Sequence, residues 1–327
     1  MPPSLVTAAW SAWGAANLPS AGNFAADDLA GAIVKLGIRV PATARTADTL
    51  GTEREGTGVL IDDAGHILTI GYLLLEAQSI LIVAADGRVL PATVAGIDHA
   101  TGFGLVRAVQ PLDHPPLPIG SSQVARELNS VIIAAHAGAG GWSNACIVSR
   151  RPFTGWWEYA LDDALFTAPA RDNHSGAALL DSAGQVIGIG SLWVGDASDA
   201  GAAFPGNMFV PTDLVIPILN DLKTRGRRSG AARPWLGIYS EEVRQHVIVT
   251  QVLRDSPAER GGVKRGDVIL AIGGQAIGSQ AEFYQALWAS GSAGSAITLQ
   301  IWRAKAVREI NVRSIDRMDY LRPSLQS

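Results

Sequence analysis

Ser175 is the residue of this chain best placed to do covalent chemistry. Asp172, Asn173 and His174 read as a polar turn and Ser175-Gly176 as its exit. Ala177 to Leu180 then reads as a short apolar strand, Asp181 to Gly184 as a hairpin turn, and Gln185 to Gly190 as a Gly-punctuated strand. A serine presented in this way is a candidate nucleophile. The chemistry also requires a base to take its proton, a third group to orient that base, and backbone N–H groups aimed at the developing oxyanion.

The elements that would position such a serine are mostly strands. Short apolar runs recur at Gly56 to Asp62, His66 to Ile70, Ile80 to Ala84, Val89 to Ile97, Phe103 to Val109, Ser130 to Ala135 and Asn144 to Ser149. Turn signals DDAG, ADG, PLDHPP and GAGG separate them, a pattern that predicts an all-β double barrel. Before them, Leu29, Ile33, Val34 and Leu36 predict an amphipathic helix over Asp27 to Arg39. Trp156 and Trp157 are adjacent, and on a strand they point to opposite faces. A helix is expected from Thr212 to Lys223, followed by the basic, Gly-containing and solvated linker KTRGRRSGAARP. Beyond Trp235, strands at Val247 to Leu253 and Val268 to Ile272, helices from Pro257 and over Gln280 to Ser290, and a hairpin from Ile297 to Val312 form an α+β module.

Composition agrees with this layout. With 327 residues, 47% of them hydrophobic and 17% charged, the chain can build two or three domains with sizeable cores. Its 36 glycines and 6% aromatic content fit a loop-rich β protein. A net charge of −4 argues against a nucleic-acid partner. The single cysteine, Cys146, can form no internal disulfide and reads as a small buried hydrophobe.

Five blocks in order resemble the HtrA/Deg family, trypsin-like serine proteases followed by a PDZ domain. They are GTGVLIDDAGHILTIGYLL, GIDHATGFGLVRA, HSGAALLDSAGQVIGIG, NMFVPTDLVIPIL and WLGI with SPAERGGVKRGDVILAIGGQAI. The resemblance implies a mostly β fold: a trypsin-like double β-barrel followed by an α+β PDZ domain. It also implies a bacterial protein-quality-control setting. Position by position, the family's catalytic histidine falls on Tyr72, its aspartate on Gly102 and its serine on Ser175; the oxyanion turn becomes Asn173, His174 and Ser175. Asparagine tolerates left-handed backbone, which keeps that turn geometrically possible. A phenol, with a pKa of about 10, cannot act as the general base that imidazole supplies, and Gly102 offers no carboxylate. His99 and His174 lie in loops that could approach this centre and, with Asp98 or Asp172, hold a metal. No metal-ligand spacing supports such a site, so neither a metal nor any other cofactor is expected.

For the PDZ module the resemblance implies a loop, Trp235-Leu236-Gly237-Ile238, whose N–H groups take a peptide's terminal carboxylate. The groove wall is the helix bearing Phe283, Tyr284 and Leu287. The resulting expectation is a pseudoprotease that binds peptide or protein C-termini, with an active endopeptidase using a displaced base as the alternative. The expected divisions are an N-terminal segment over 1–26, protease domain 27–223, linker 224–233, PDZ domain 234–316 and tail 317–327. Trp10, Trp13 and Phe24 suggest an oligomerisation arm, which the resemblance extends to a homotrimer. No basic n-region or membrane span is visible, which points to the cytoplasm; a longer true N-terminus would instead allow the periplasm.

Overall fold

The computed structural model describes residues 31–136 and 141–321. The expected arm with Trp10, Trp13 and Phe24 lies outside the described residues, as does the chain beyond Leu321. Two compact units divide the rest. One holds the residues up to Arg151 together with Asp163–Arg228, and the other holds Pro152–Asp162 together with the residues from Ser229 onward.

The first unit carries two closed barrels of six strands. β1 (Ile33–Arg39), β2 (Glu53–Leu60), β3 (His66–Ile70), β4 (Ser79–Val83), β5 (Val89–Ile97) and β6 (Phe103–Ala108) close in the order β1-β2-β3-β6-β5-β4. The second barrel comprises β7 (Ser130–Ala134), β8 (Trp142–Gly155), β9 (Tyr159–Ala168), β10 (Ala178–Leu180), β11 (Val186–Val194) and β12 (Gly206–Pro211), in the order β10-β11-β12-β9-β8-β7. Alternate residues of each strand fill the interiors. Leu36, Ile38, Ile67, Ile82, Phe103 and Leu105 are buried in the first barrel, and Val131, Ile133, Ile147, Leu165, Leu179 and Phe209 cluster in the second.

Three expectations about elements need correction. The helix over Asp27 to Arg39 is, where described, helical only at Gly31 and Ala32 and gives way at Ile33 to strand β1, paired with β2 and β4. Its Val34, Leu36 and Ile38 are buried at period two, and β-branched residues favour the strand once two partners are available. The helix from Thr212 to Lys223 is broken into 3-10 turns Thr212–Leu214 and Ile216–Ile218 before α2 (Leu219–Arg225), where Pro217 removes a backbone donor. Trp156 and Trp157 do not lie on a strand. With Glu158 they form the turn joining β8 to β9, so the opposite-face expectation does not apply to them.

The second unit is a sheet in the order β13 (Ile238–Val243), β14 (His246–Val252), β15 (Val268–Ile272), β17 (Ala296–Arg303), β18 (Ala306–Arg313), with β16 (Gln275–Ala276) paired on β15. Besides α1 (Ala47–Leu50) in the first unit, the helices are α3 (Pro257–Gly261), α4 (Gln280–Ala289) and α5 (Arg317–Leu321). Ser256 and Ser279 cap α3 and α4 by accepting from Glu259 N and Glu282 N. Residues 317–321, expected as tail, are a helix of this unit: the Tyr320 ring packs 4.7 Å from that of Trp235, and its hydroxyl donates to Arg254 O. Pro152–Asp162, expected within the protease domain, also clusters here.

Candidate functional site

Strand β3 brings Tyr72 to Ser175. All five β3 residues are buried, and the chain leaves the strand in a 3-10 turn, Gly71–Leu74, that carries the phenol. On the other side, the Ser175 carbonyl accepts from Thr57 N at 2.8 Å and Gly176 N donates to Gly190 O at 2.8 Å, which fixes the serine turn between the barrels' strands. The Tyr72 hydroxyl oxygen then lies 2.7 Å from Ser175 Oγ and 3.0 Å from the Ser191 carbonyl oxygen. A phenol has one proton for these two neighbours. Given to the carbonyl, it leaves the phenolic oxygen to accept from the serine; given to Ser175 Oγ, it leaves the serine proton elsewhere. In both arrangements the phenol stays neutral. Burial pushes its pKa up to about 12, with a smaller lowering from the Ser175 hydrogen bond.

Gly102 sits at φ +85°, with its N–H donating to Asp98 O at 2.8 Å and its carbonyl accepting from Gly71 N at 2.6 Å. The nearby carboxylate, Asp98, is 4% exposed and fully engaged. Arg228 donates from Nε to Oδ1 at 2.7 Å and from Nη2 to Oδ2 at 2.9 Å, while Thr101 donates from its N–H at 2.9 Å and from Oγ1 at 2.5 Å. This set locks the loop 98–102. It also corrects the solvated-linker reading of KTRGRRSGAARP, because Arg228 is a structural cation.

His174, expected near the serine, has another partner. His174 Nδ1 is 3.0 Å from Arg171 O, so Nδ1 carries the proton and donates, and burial lowers the pKa of the ring. Asn173 is absent from the left-handed residues; its Oδ1 accepts from Arg171 Nε at 3.2 Å. Arg171 is tied in turn to buried Asn207, donating from N to Oδ1 at 2.7 Å and accepting from Nδ2 at 2.9 Å. His99 is half-buried in the 98–102 loop. Among the described residues, no three His, Cys, Asp or Glu side chains are grouped to hold a metal ion. Arg171, Ser191, Asn207 and Arg228 were missed in the sequence. Only Asn207, a lone amide in the apolar run NMFVP, left a signal there.

In the second unit the loop Trp235-Leu236-Gly237-Ile238 forms a backbone cradle. Gly237 has φ +83°, and a Cβ there would lie 2.4 Å from Ser256 Cβ, so the turn requires glycine. The cradle holds the carboxylate of Glu158. Oε1 accepts from Gly237 N at 2.7 Å and Ile238 N at 2.8 Å, and Oε2 accepts from Leu236 N at 3.1 Å. Glu158 is 6% exposed at φ +52°. Burial pushes its pKa up to about 7, against the opposing pull of the three N–H bonds and of Arg317.

The rest of the turn is held as well. Ser240 N donates to Trp156 O at 3.1 Å, Tyr284 OH donates to Gly155 O at 2.9 Å and accepts from Glu158 N at 3.0 Å, and the Trp156 ring meets Tyr239 edge-on at 4.8 Å. Of the expected groove-wall residues, Phe283 and Leu287 are fully buried in the core of the unit, and Tyr284 reaches the turn through its hydroxyl. Glu158 was missed in the sequence because the N–H groups that hold it lie 78 to 80 residues further along the chain.

Comparison with known proteins follows the same division. A trypsin-like peptidase domain matches residues 56–189 and a PDZ domain matches residues 234–313. The chain is 29% identical over 266 residues to the probable periplasmic serine endoprotease DegP-like of Pseudomonas fluorescens, a match covering 76% of this chain and 53% of that one. It is 26% identical to the serine endoprotease DegS of Haemophilus influenzae, covering 81% of this chain and 78% of that one. The chain thus spans about half the length of the DegP-like relatives. Among solved structures, the HtrA-type protease AlgW with a tripeptide superposes with TM-score 0.54 at 22% identity, covering 91% of this chain and 96% of that one. The serine endoprotease from Yersinia pestis superposes with TM-score 0.54 at 23% identity, covering 91% and 99%. The cytoplasmic expectation is overturned, since the DegP-like relatives are named as periplasmic. The chain thus has the fold of a trypsin-like peptidase domain followed by a PDZ domain, the fold it shares with the HtrA-type solved structures.

Proposed function

We propose that this protein is a periplasmic HtrA-like pseudoprotease whose trypsin-like domain is catalytically silent and whose PDZ domain binds the C-termini of proteins. The observation that carries the first half is the 2.7 Å contact between Tyr72 and Ser175 Oγ. The position from which a base would take the serine proton is filled by a half-buried neutral phenol. His174, adjacent in the chain and bonded to Arg171 O, does not replace it. The second half rests on the cradle of three N–H groups at Leu236 to Ile238, a backbone arrangement suited to a carboxylate.

Fluorescence polarisation with a library of labelled peptides and the full chain tests the binding half. Peptides with a free C-terminus should bind, and their amidated twins should bind at least about tenfold more weakly, because charge-assisted bonds to the cradle become neutral ones. Equal binding of the two forms would remove the carboxylate from the recognition and sink this half of the reading.

A further inference from the structure

We propose that Glu158 is an internal stand-in for a peptide C-terminus, so that the β8–β9 turn occupies the PDZ groove and a partner's terminal carboxylate must displace it. The proposal deepens the peptide-binding reading above and rests on it. β13 is the edge of its sheet and pairs with no strand but β14 among the described residues, and Ser240 N on that edge donates to Trp156 O. Two residues later in the turn, the Glu158 carboxylate takes the N–H groups of Leu236, Gly237 and Ile238. A backbone hydrogen bond on the edge of β13 together with capture of a carboxylate on backbone N–H groups matches the pattern by which an added peptide strand is held, with a side-chain carboxylate in place of a terminal one. Tyr284 OH closes the turn by bridging Gly155 O and Glu158 N.

The same three N–H groups cannot serve two carboxylates, so occupancy by Glu158 and binding of a peptide C-terminus exclude one another. A tethered ligand acts at an effective concentration of about millimolar, so it holds the groove against a partner of modest affinity. Apparent affinity for that partner falls by the fraction of molecules in which the groove is free.

The test uses the full chain, its Glu158→Gln and Glu158→Asp variants, and a fluorescein-labelled peptide ending in Trp-Trp-Leu with a free carboxylate. Glu158→Gln keeps the shape but removes the charge, whereas Glu158→Asp keeps the charge but is one methylene too short to reach. Both should bind the peptide at least about tenfold more tightly than the parent chain. Hydrogen exchange followed by mass spectrometry reads the turn independently of peptide binding. Residues 153–160 should be protected in the parent chain and deprotected in both variants, with exchange in the barrel strands unchanged as the check on folding. Adding peptide to the parent chain should also deprotect 153–160.

Equal peptide affinity in all three proteins, with 153–160 exchanging alike, would overturn the internal ligand and leave the peptide-binding reading standing. Deprotection in the variants with no peptide binding to any of the three would overturn the peptide-binding reading, and with it the displacement by a partner, while Glu158 remained the occupant of the cradle.

Discussion

Casein incubated with the purified chain should remain intact, with turnover about a millionfold below that of a protease with a working triad. The loss follows from the group against Ser175 Oγ. Imidazole is half-deprotonated near neutral pH, but the Tyr72 phenol becomes a base only as the pH approaches its own pKa, pushed up to about 12. At pH 10 about one molecule in a hundred carries the phenolate. Raising the pH from 7 to 10 should therefore produce no measurable cleavage. Cleavage that switches on between pH 6 and 8 would reveal an imidazole base at work and contradict the proposed silence.

Restoring the two missing triad side chains should not restore the enzyme. In the double variant Tyr72→His, Gly102→Asp, cleavage of fluorogenic casein should stay at least about a hundredfold below that of an active trypsin-like protease, since a misplaced oxyanion donor alone costs about a hundredfold to a thousandfold. The backbone gives the reason. Gly102 has φ +85°, where an L-residue pays about 1–2 kcal/mol. Its N–H and carbonyl are both held, by Asp98 O and Gly71 N, so the loop does not relax freely to bring a new carboxylate to a new imidazole. On the oxyanion side, Asn173 and His174 are tied to Arg171, which the double variant leaves in place. Full activity in the double variant would show that the two lost side chains were the only defect.

What could be read from the sequence were features carried by local patterns. The boundaries of β3, β5 and β15 follow from apolar runs between turn signals, and α4 starts at Gln280, where its helical stretch was expected to begin. β1 misled because Ile33, Val34 and Leu36 fit a helical stripe as well as a strand; the choice was made by β2 and β4, which pair with it on both sides. The identity of the serine's neighbour was legible only through alignment of Tyr72 with a family motif, because 103 residues of chain separate the two. Arg228 on Asp98 and Glu158 on the 236–238 loop were not legible at all. Each is engaged by a partner more than seventy residues away, which no local pattern reports.

The reactivity of Ser175 itself decides between a silent and a working protease domain most directly. The chain is to be treated with excess fluorophosphonate at pH 8, alongside trypsin, and the adduct read by intact mass and located by peptide mapping. An unactivated serine whose hydroxyl meets a neutral phenol should remain unlabelled while trypsin is fully modified. Stoichiometric modification at Ser175 would contradict the pseudoprotease.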